Sequence, residues 1–412
     1  MLRIRTCVVL VVLTNALLAA AETLTLDEAL NLADRAHPSL QAGAAQIDVA
    51  QAGITTARAY PNPETGVMAG RQTAGLPGNY AGKSFFYYFS QPLELGKLRP
   101  SRIEFAQRGR DSSLIALTEI RLGVLSRVRH SFYQVLRRKS QIQLAEERMK
   151  MVQDLHRRIQ VRVEVGEAGR LELLRAEAEA ATARTLANSA QLELITALSQ
   201  FRAAVASPLP SDLDLQGALD ATPPPLSLED LRQEVLDRNP TLALAQSEVS
   251  RADANLNYQV AQRRPQPALR TEADYQPGNP SYRAGIGIPL PFWNRFQGPI
   301  AEAAASIRVA DRLARAQQIE LLSALEGAYG RYRVAGQQIL AYEQGVLREA
   351  SQALDAAETA YQLGERGILE VLDAQRVLYG VRFDYMTAQY ERQDALLEID
   401  QLRAIDLRRA VP

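Results

Sequence analysis

Glu370 and Asp373 stand three residues apart in a segment of helical periodicity, which puts both carboxylates on one helix face. Their chemistry is electrostatic: two acids so placed attract a cation or repel each other. Tyr361 and Arg366 precede them around Gly364 and Gly367, and each can donate a hydrogen bond to a partner. A plainer reading makes the acids ordinary solvated charges beside an apolar seam formed by Val371 and Ala374. Nothing elsewhere suggests covalent chemistry. The only cysteine is Cys7, there is no Gly-x-Ser-x-Gly or phosphate-binding glycine loop, and Gly285-Ile286-Gly287 belongs to a strand pattern. His37, His130 and His156 are too scattered for a metal site, and His156 falls in an apolar seam as a packing residue. The chain is therefore not expected to be an enzyme or to hold a cofactor or resident metal.

Lys plus Arg and Asp plus Glu both number 47, so no basic field exists to attract nucleic acid. Residues 1–21 read as a secretory signal. Arg3 and Arg5 precede an apolar run from Val8 to Leu18, and Ala19-Ala20-Ala21 supplies a cleavage site after Ala21. Cys7 lies inside that segment, so the mature protein is expected to lack thiol, disulfide and cysteine-borne lipid. No later stretch approaches a transmembrane helix.

The elements that must position the acids occur twice. Leu24-Thr25-Leu26-Asp27-Glu28 returns as Leu226-Ser227-Leu228-Glu229-Asp230, and His37-Pro38-Ser39-Leu40 as Asn239-Pro240-Thr241-Leu242, both at an offset of 202. Gly166-Glu167-Ala168-Gly169 returns as Gly364-Glu365-Arg366-Gly367 at 198. This reads as a first repeat over 22–205, a proline-rich linker over 206–226 expected on the outside, and a second repeat over 227–412. No proline occurs from Ser101 to Ser207 or from Ile300 to Val411, which leaves both runs free to be helix. Ile142, Ala145, Met149, Val152, His156, Ile159 and Val163 form one coiled-coil seam; Leu340, Leu347, Ala350, Leu354, Ala357 and Tyr361 form another. The glycine pairs break each run into a helical hairpin, supplying left-handed backbone at the tips. The spacing predicts long helices over about 97–165 and 298–363 and shorter returns over about 170–205 and 368–406. Leu26 to Arg58 and Leu228 to Gln262 each read as one opening helix, stacked end to end on a return arm.

Between opening and long helices the period becomes two, over about 64–91 and 268–289. Leu269, Thr271, Ala273 and Tyr275 alternate with Arg270, Glu272 and Asp274; Tyr282, Ala284, Ile286 and Ile288 alternate with Arg283, Gly285 and Gly287. Each strand is close to the roughly nine to eleven residues a tilted membrane-crossing strand requires. Phe85 to Phe89 is aromatic on both faces, so this segment does not show which side would meet lipid. Four strands leave two unpaired edges, which a bilayer does not tolerate, so the sheet must close with further copies of itself. Two copies would give a barrel filled by side chains; three would leave an aqueous lumen.

On these residues the chain resembles the TolC family of outer-membrane channel proteins along its whole mature length. The markers are the duplicated α-β-β-α-α order, Pro61-Asn62-Pro63 entering the first strand, and Gln91-Pro92-Leu93-Glu94-Leu95-Gly96-Lys97 leaving the second. Ile288-Pro289-Leu290-Pro291-Phe292-Trp293-Asn294-Arg295 followed by Gln297-Gly298 is similar to the cobalt-zinc-cadmium or copper-silver efflux branch. The resemblance implies a mainly α fold with a transmembrane β portion. It also implies a homotrimer: a twelve-stranded barrel in outer-membrane lipid, continued into the periplasm by an α-helical barrel. Its implied partners are a periplasmic adaptor and an inner-membrane RND-type pump, its implied cargo heavy-metal cations. Drugs or other organic solutes, or proteins of type I secretion, are the alternative cargoes; a tethering coiled coil or adaptor without a pore is the alternative of another class. By position, Tyr361, Arg366, Glu370 and Asp373 match the family's tip tyrosine, tip arginine and acidic gate pair. In a trimer the acids would make six carboxylates around one constriction, opened when an adaptor breaks the links of Tyr361 and Arg366. Gly166, Gly169, Gly364 and Gly367 would mark the adaptor-contacting tips. The equivalent first-tip positions, Glu172 and Arg175, differ in charge, and alternating signs could instead zip neighbouring tips shut.

Overall fold

A computed structural model describes residues 22–73, 80–210, 213–219, 226–405 and 407. The signal segment with its cleavage point after Ala21, linker residues 211–212 and 220–225, and all but residue 407 of the terminus from 406 lie outside the described residues. The described chain runs β1 (Glu22–Leu24), α1 (Leu26–Ala36), α2 (Pro38–Arg58), β2 (Glu64–Gln72), β3 (Gly82–Pro92), α3 (Leu98–Glu164) and α4 (Arg170–Val205). After β4 (Leu213–Leu215) come α5 (Leu228–Arg238), α6 (Pro240–Gln262), β5 (Ala268–Gln276), β6 (Asn279–Gly287), α7 (Gln297–Ala341), a π-helical turn (Tyr342–Val346), α8 (Leu347–Gln362) and α9 (Ile368–Leu402). α3 has 67 residues, about 100 Å of helix at ~1.5 Å per residue.

The opening helices are broken, where sequence periodicity suggested one continuous helix each. Pro38 and Pro240 push the residue before them out of the helical region, and His37 (ψ 125°) and Asn239 (ψ 120°) are extended. Both become N-caps of the following helix. His37 Nδ1 accepts from the Ser39 amide at 3.1 Å, and Asn239 Oδ1 accepts from the Thr241 amide at 2.9 Å. His37 is only 6% exposed, and its burial, helped by the nearby Arg127 charge, lowers its pKa. A cap that accepts through Nδ1 works only while that nitrogen is unprotonated. Because the folded pKa is depressed, this contribution is present above the unfolded value of about 6.5 and is lost as pH falls below it. His37→Asn, which copies the second repeat, is expected to flatten this part of the stability curve. Thermal melts between pH 7.5 and 5 check it, and an undiminished acid-induced drop contradicts it.

The second long arm is also not one helix. At Tyr342–Val346 the chain makes a π-turn, which fits one extra residue into the helical repeat. The seam above the turn is consequently shifted by one. Seven residues before Leu347 is Leu340, the residue expected in the seam, yet Leu340 is exposed and Ile339, eight before, is buried. From α9, Tyr385 packs edge-on against Tyr342 with centroids 6.1 Å apart and donates to Glu343 at 2.8 Å. Helix α9 ends at Leu402, short of the expected 406.

The linker is not wholly external. β4 pairs in parallel with β1, and Leu215 is 2% exposed in a core with Phe132, Val135, Phe201 and Val205. Lys139 Nζ donates to the Leu215 carbonyl at 2.8 Å, which ties the linker to the middle of α3.

The four longer strands form one antiparallel sheet in the order β2-β3-β5-β6, so β2 and β6 are its free edges. Its register settles what the aromatic run left open. Tyr87 stands opposite Val67 and Ala273, and Ala273 opposite Tyr282; Phe89 stands opposite Thr65 and Thr271, and Thr271 opposite Ala284. Phe85, Tyr87 and Phe89 therefore share the apolar face with Val67, Leu269, Tyr275 and Ile286. Tyr88 shares the other face with Glu272 and Arg283, and donates to Glu64 at 3.2 Å. Arg283 reaches Glu272 at 3.4 Å and Asp274 at 3.8 Å on that face. In the middle of the sheet the charged side chains Arg270, Glu272, Asp274 and Arg283 all lie on the Tyr88 face, which also carries Met68 and Phe86, and such a division of charge is the pattern of strands between lumen and lipid.

Candidate functional site at the helical tips

The two hairpin tips carry the residues singled out by type and spacing. Each turn is set by one left-handed glycine, Gly166 (φ +81°) and Gly364 (φ +76°). The turn amides fold back on the last helical carbonyls: Glu167 donates to Arg162 at 2.7 Å and Glu365 to Ala360 at 2.9 Å. Gly169 and Gly367 do not share this role. Their φ values of −81° and −85° are ordinary, and they are the N-caps of α4 and α9.

Tyr361 is the buried centre of the site. It is 9% exposed, packed with Leu155, Ile159, Ile368 and Val371, and its hydroxyl donates to Glu172 Oε2 at 3.1 Å. The Arg162 guanidinium lies 4.9 Å from the Tyr361 ring centroid, and Arg162 also reaches Glu167 at 3.7 Å. Burial raises the phenol pKa, and the Glu172 charge adds to it. Tyr361 thus joins the second hairpin to the first within one chain. Arg366 does not share that link: it is exposed and has no ion pair among the described residues. Glu370 and Asp373 are likewise exposed and unpaired. Glu370 occupies the first turn of α9, where the helix dipole favours an acid whatever its further role. Arg175 is exposed as well, so Glu172 and Arg175 serve differently within the chain.

A second link, two turns up α4 from Glu172, was invisible to sequence reasoning. Glu179 is met by Arg148 from α3 and by Arg376 from α9, the latter at 3.4 Å, while Arg148 stacks over Tyr379 at 4.5 Å. The seven-residue spacing of Glu172 and Glu179 was available as a signal. Their partners, on three other helices, were not. Among the described residues no group of three or more His, Cys, Asp and Glu could hold a metal ion, and no helix is long and apolar enough to cross a membrane. The site can therefore bind through charge and hydrogen bonds.

Residues 29–207 and 231–404, one segment per repeat, match the family model described as outer membrane efflux protein. The chain belongs to that family. Its relatives include the cobalt-zinc-cadmium resistance protein CzcC of Cupriavidus metallidurans, 29% identical over 93% of this chain and 90% of that protein. The pyoverdine export outer membrane protein OpmQ of Pseudomonas putida is 26% identical over 92% of this chain and 83% of that one. Among solved structures, CusC superposes with a TM-score of 0.77 at 19% identity, covering 92% of this chain and 91% of that one. VceC of Vibrio cholerae gives 0.75 at 17%, covering 92% and 95%. This outer membrane efflux protein is accordingly a transport channel and not an enzyme, placed in the outer membrane with a large helical part in the periplasm.

Proposed function

We propose that three copies of this chain close their sheets edge to edge into a twelve-stranded barrel, continued by a periplasmic helical tunnel. The duct takes heavy-metal cations from an RND-type inner-membrane pump through a periplasmic adaptor. Closure is supported by the free edges of β2 and β6 and by the two-faced sheet, since unpaired edges are not tolerated in lipid. The metal reading rests on one observation, the end-to-end likeness to CzcC. The similar coverage of OpmQ favours organic solutes as the second reading.

The tips are the proposed gate. Tyr361 with Glu172 and Arg162 holds the hairpins together, while Glu370 and Asp373, repeated by symmetry, gather cations at the constriction. Arg366 and the glycine-marked tips face the adaptor. A strain lacking this chain is expected to lose several-fold in the cobalt, zinc or cadmium concentration it tolerates and to regain it from a plasmid copy. Unchanged metal tolerance with new sensitivity to organic solutes transfers the assignment to the second reading.

A further inference from the structure

The segment after β6 leaves the sheet without packing on the chain. Ile288, Leu290 and Phe292 are all exposed, and Trp293 is 91% exposed, with Phe292 as its ring contact at 6.0 Å in an edge-on arrangement. Asn294 behaves differently. Its Oδ1 accepts from the Phe296 amide at 3.0 Å, and Phe296 takes the left-handed backbone (φ +59°) that turns the chain into α7. Asn294 therefore shapes the corner, and Trp293 is free of that duty.

Two features say what covers Trp293. The apolar face of β6, Tyr282, Ala284 and Ile286, continues at the same period of two through Ile288 and Leu290; at Pro291 the chain turns, with the Phe292 amide donating to the Leu290 carbonyl at 2.9 Å, so that Phe292 and Trp293 follow directly on this apolar run. The second is depth. β6 has nine residues; at ~3.4 Å each and a tilt of about 40°, such a strand rises ~23 Å, close to the ~25 Å apolar band of an outer-membrane barrel. The residues after Gly287 thus emerge at the band's periplasmic edge. Arg295, two residues after Trp293, is exposed and has no ion pair among the described residues.

We propose that Phe292 and Trp293 dock in the phospholipid headgroup region of the periplasm-facing leaflet, with Arg295 directed to lipid phosphate. Tryptophan suits this depth, with an apolar ring and one N–H donor. The inference rests on the barrel reading above. Trp293 is the only tryptophan of the chain, so the intact protein reports on it directly. The test is fluorescence of the purified chain in phosphatidylethanolamine–phosphatidylglycerol vesicles after a carbonate wash. Quenchers are lipids brominated near the ester, lipids brominated near the chain end, and aqueous iodide. The expected result is blue-shifted emission, quenched at least about twofold more by the shallow than by the deep bromolipid. Quenching by iodide alone puts Trp293 in water, and quenching by none of the three puts it between copies; either overturns the inference while a carbonate-resistant chain leaves the barrel standing. A chain stripped off by carbonate overturns the barrel reading and this inference together.

Discussion

Ala284→Arg is expected to prevent the chain from entering the outer membrane, and Ser281→Arg on the same strand to leave entry intact. Ala284 lies on the apolar face near the middle of β6, opposite Thr271. An arginine there meets hydrocarbon at a cost of about 2–4 kcal/mol per copy near the bilayer midplane. Three copies multiply that to about 6–12 kcal/mol, comparable with the whole stability of an ordinary domain. Ser281 lies on the other face, opposite Asp274, where Arg283 already stands within reach of acids. The measurement is the carbonate-resistant fraction of each variant in isolated outer membranes. Equal insertion of both variants contradicts the assignment of faces.

Removing both tip acids, Glu370→Ala with Asp373→Ala, is expected to weaken block of the pore by divalent cations on the helical side at least about tenfold. That change corresponds to ~1.4 kcal/mol, a modest demand on six carboxylates if three copies bring them around one constriction as proposed. Closure itself should survive, because the hairpins are joined elsewhere, by Tyr361 to Glu172, by Glu179 to Arg376 and by Arg148 stacked over Tyr379. Tyr361→Phe with Glu172→Ala gives the converse result. It removes a hydrogen bond to a charged group, worth about 1.5–3 kcal/mol per copy, and is expected to raise conductance while leaving cation block in place. Single-channel recording separates the two variants. Identical behaviour in both would mean that the acids are merely solvated.

Backbone periods were legible in the sequence where they ran undisturbed. Proline-free stretches with a three-four seam became α3 and α4, and strict alternation became β5 and β6. Features that need a partner from far along the chain were not. The uncharged face of Phe85 to Phe89 could not be assigned from a segment aromatic on both faces, and became clear only when Tyr87 was placed opposite Val67 and Ala273, and Tyr88 opposite Glu272. Leu340 was misplaced because a π-turn adds one residue without leaving a composition signal. The breaks at His37 and Asn239 were legible in principle, since a proline follows each, but apolar periodicity on both sides masked them. At the tips the spacing of Glu370 and Asp373 was plain. The link from Tyr361 to Glu172 spans 189 residues and joins two hairpins, so no local pattern announces it.

Whether the chain forms a closed, cation-collecting duct through the outer membrane is read from the conductance of the purified wild-type protein in a planar bilayer. Such a duct gives discrete, low-conductance steps that favour cations and are blocked by divalent metal added on the side of the helical tips. Membrane-inserted protein that gives no steps, or steps without cation preference or metal block, contradicts it.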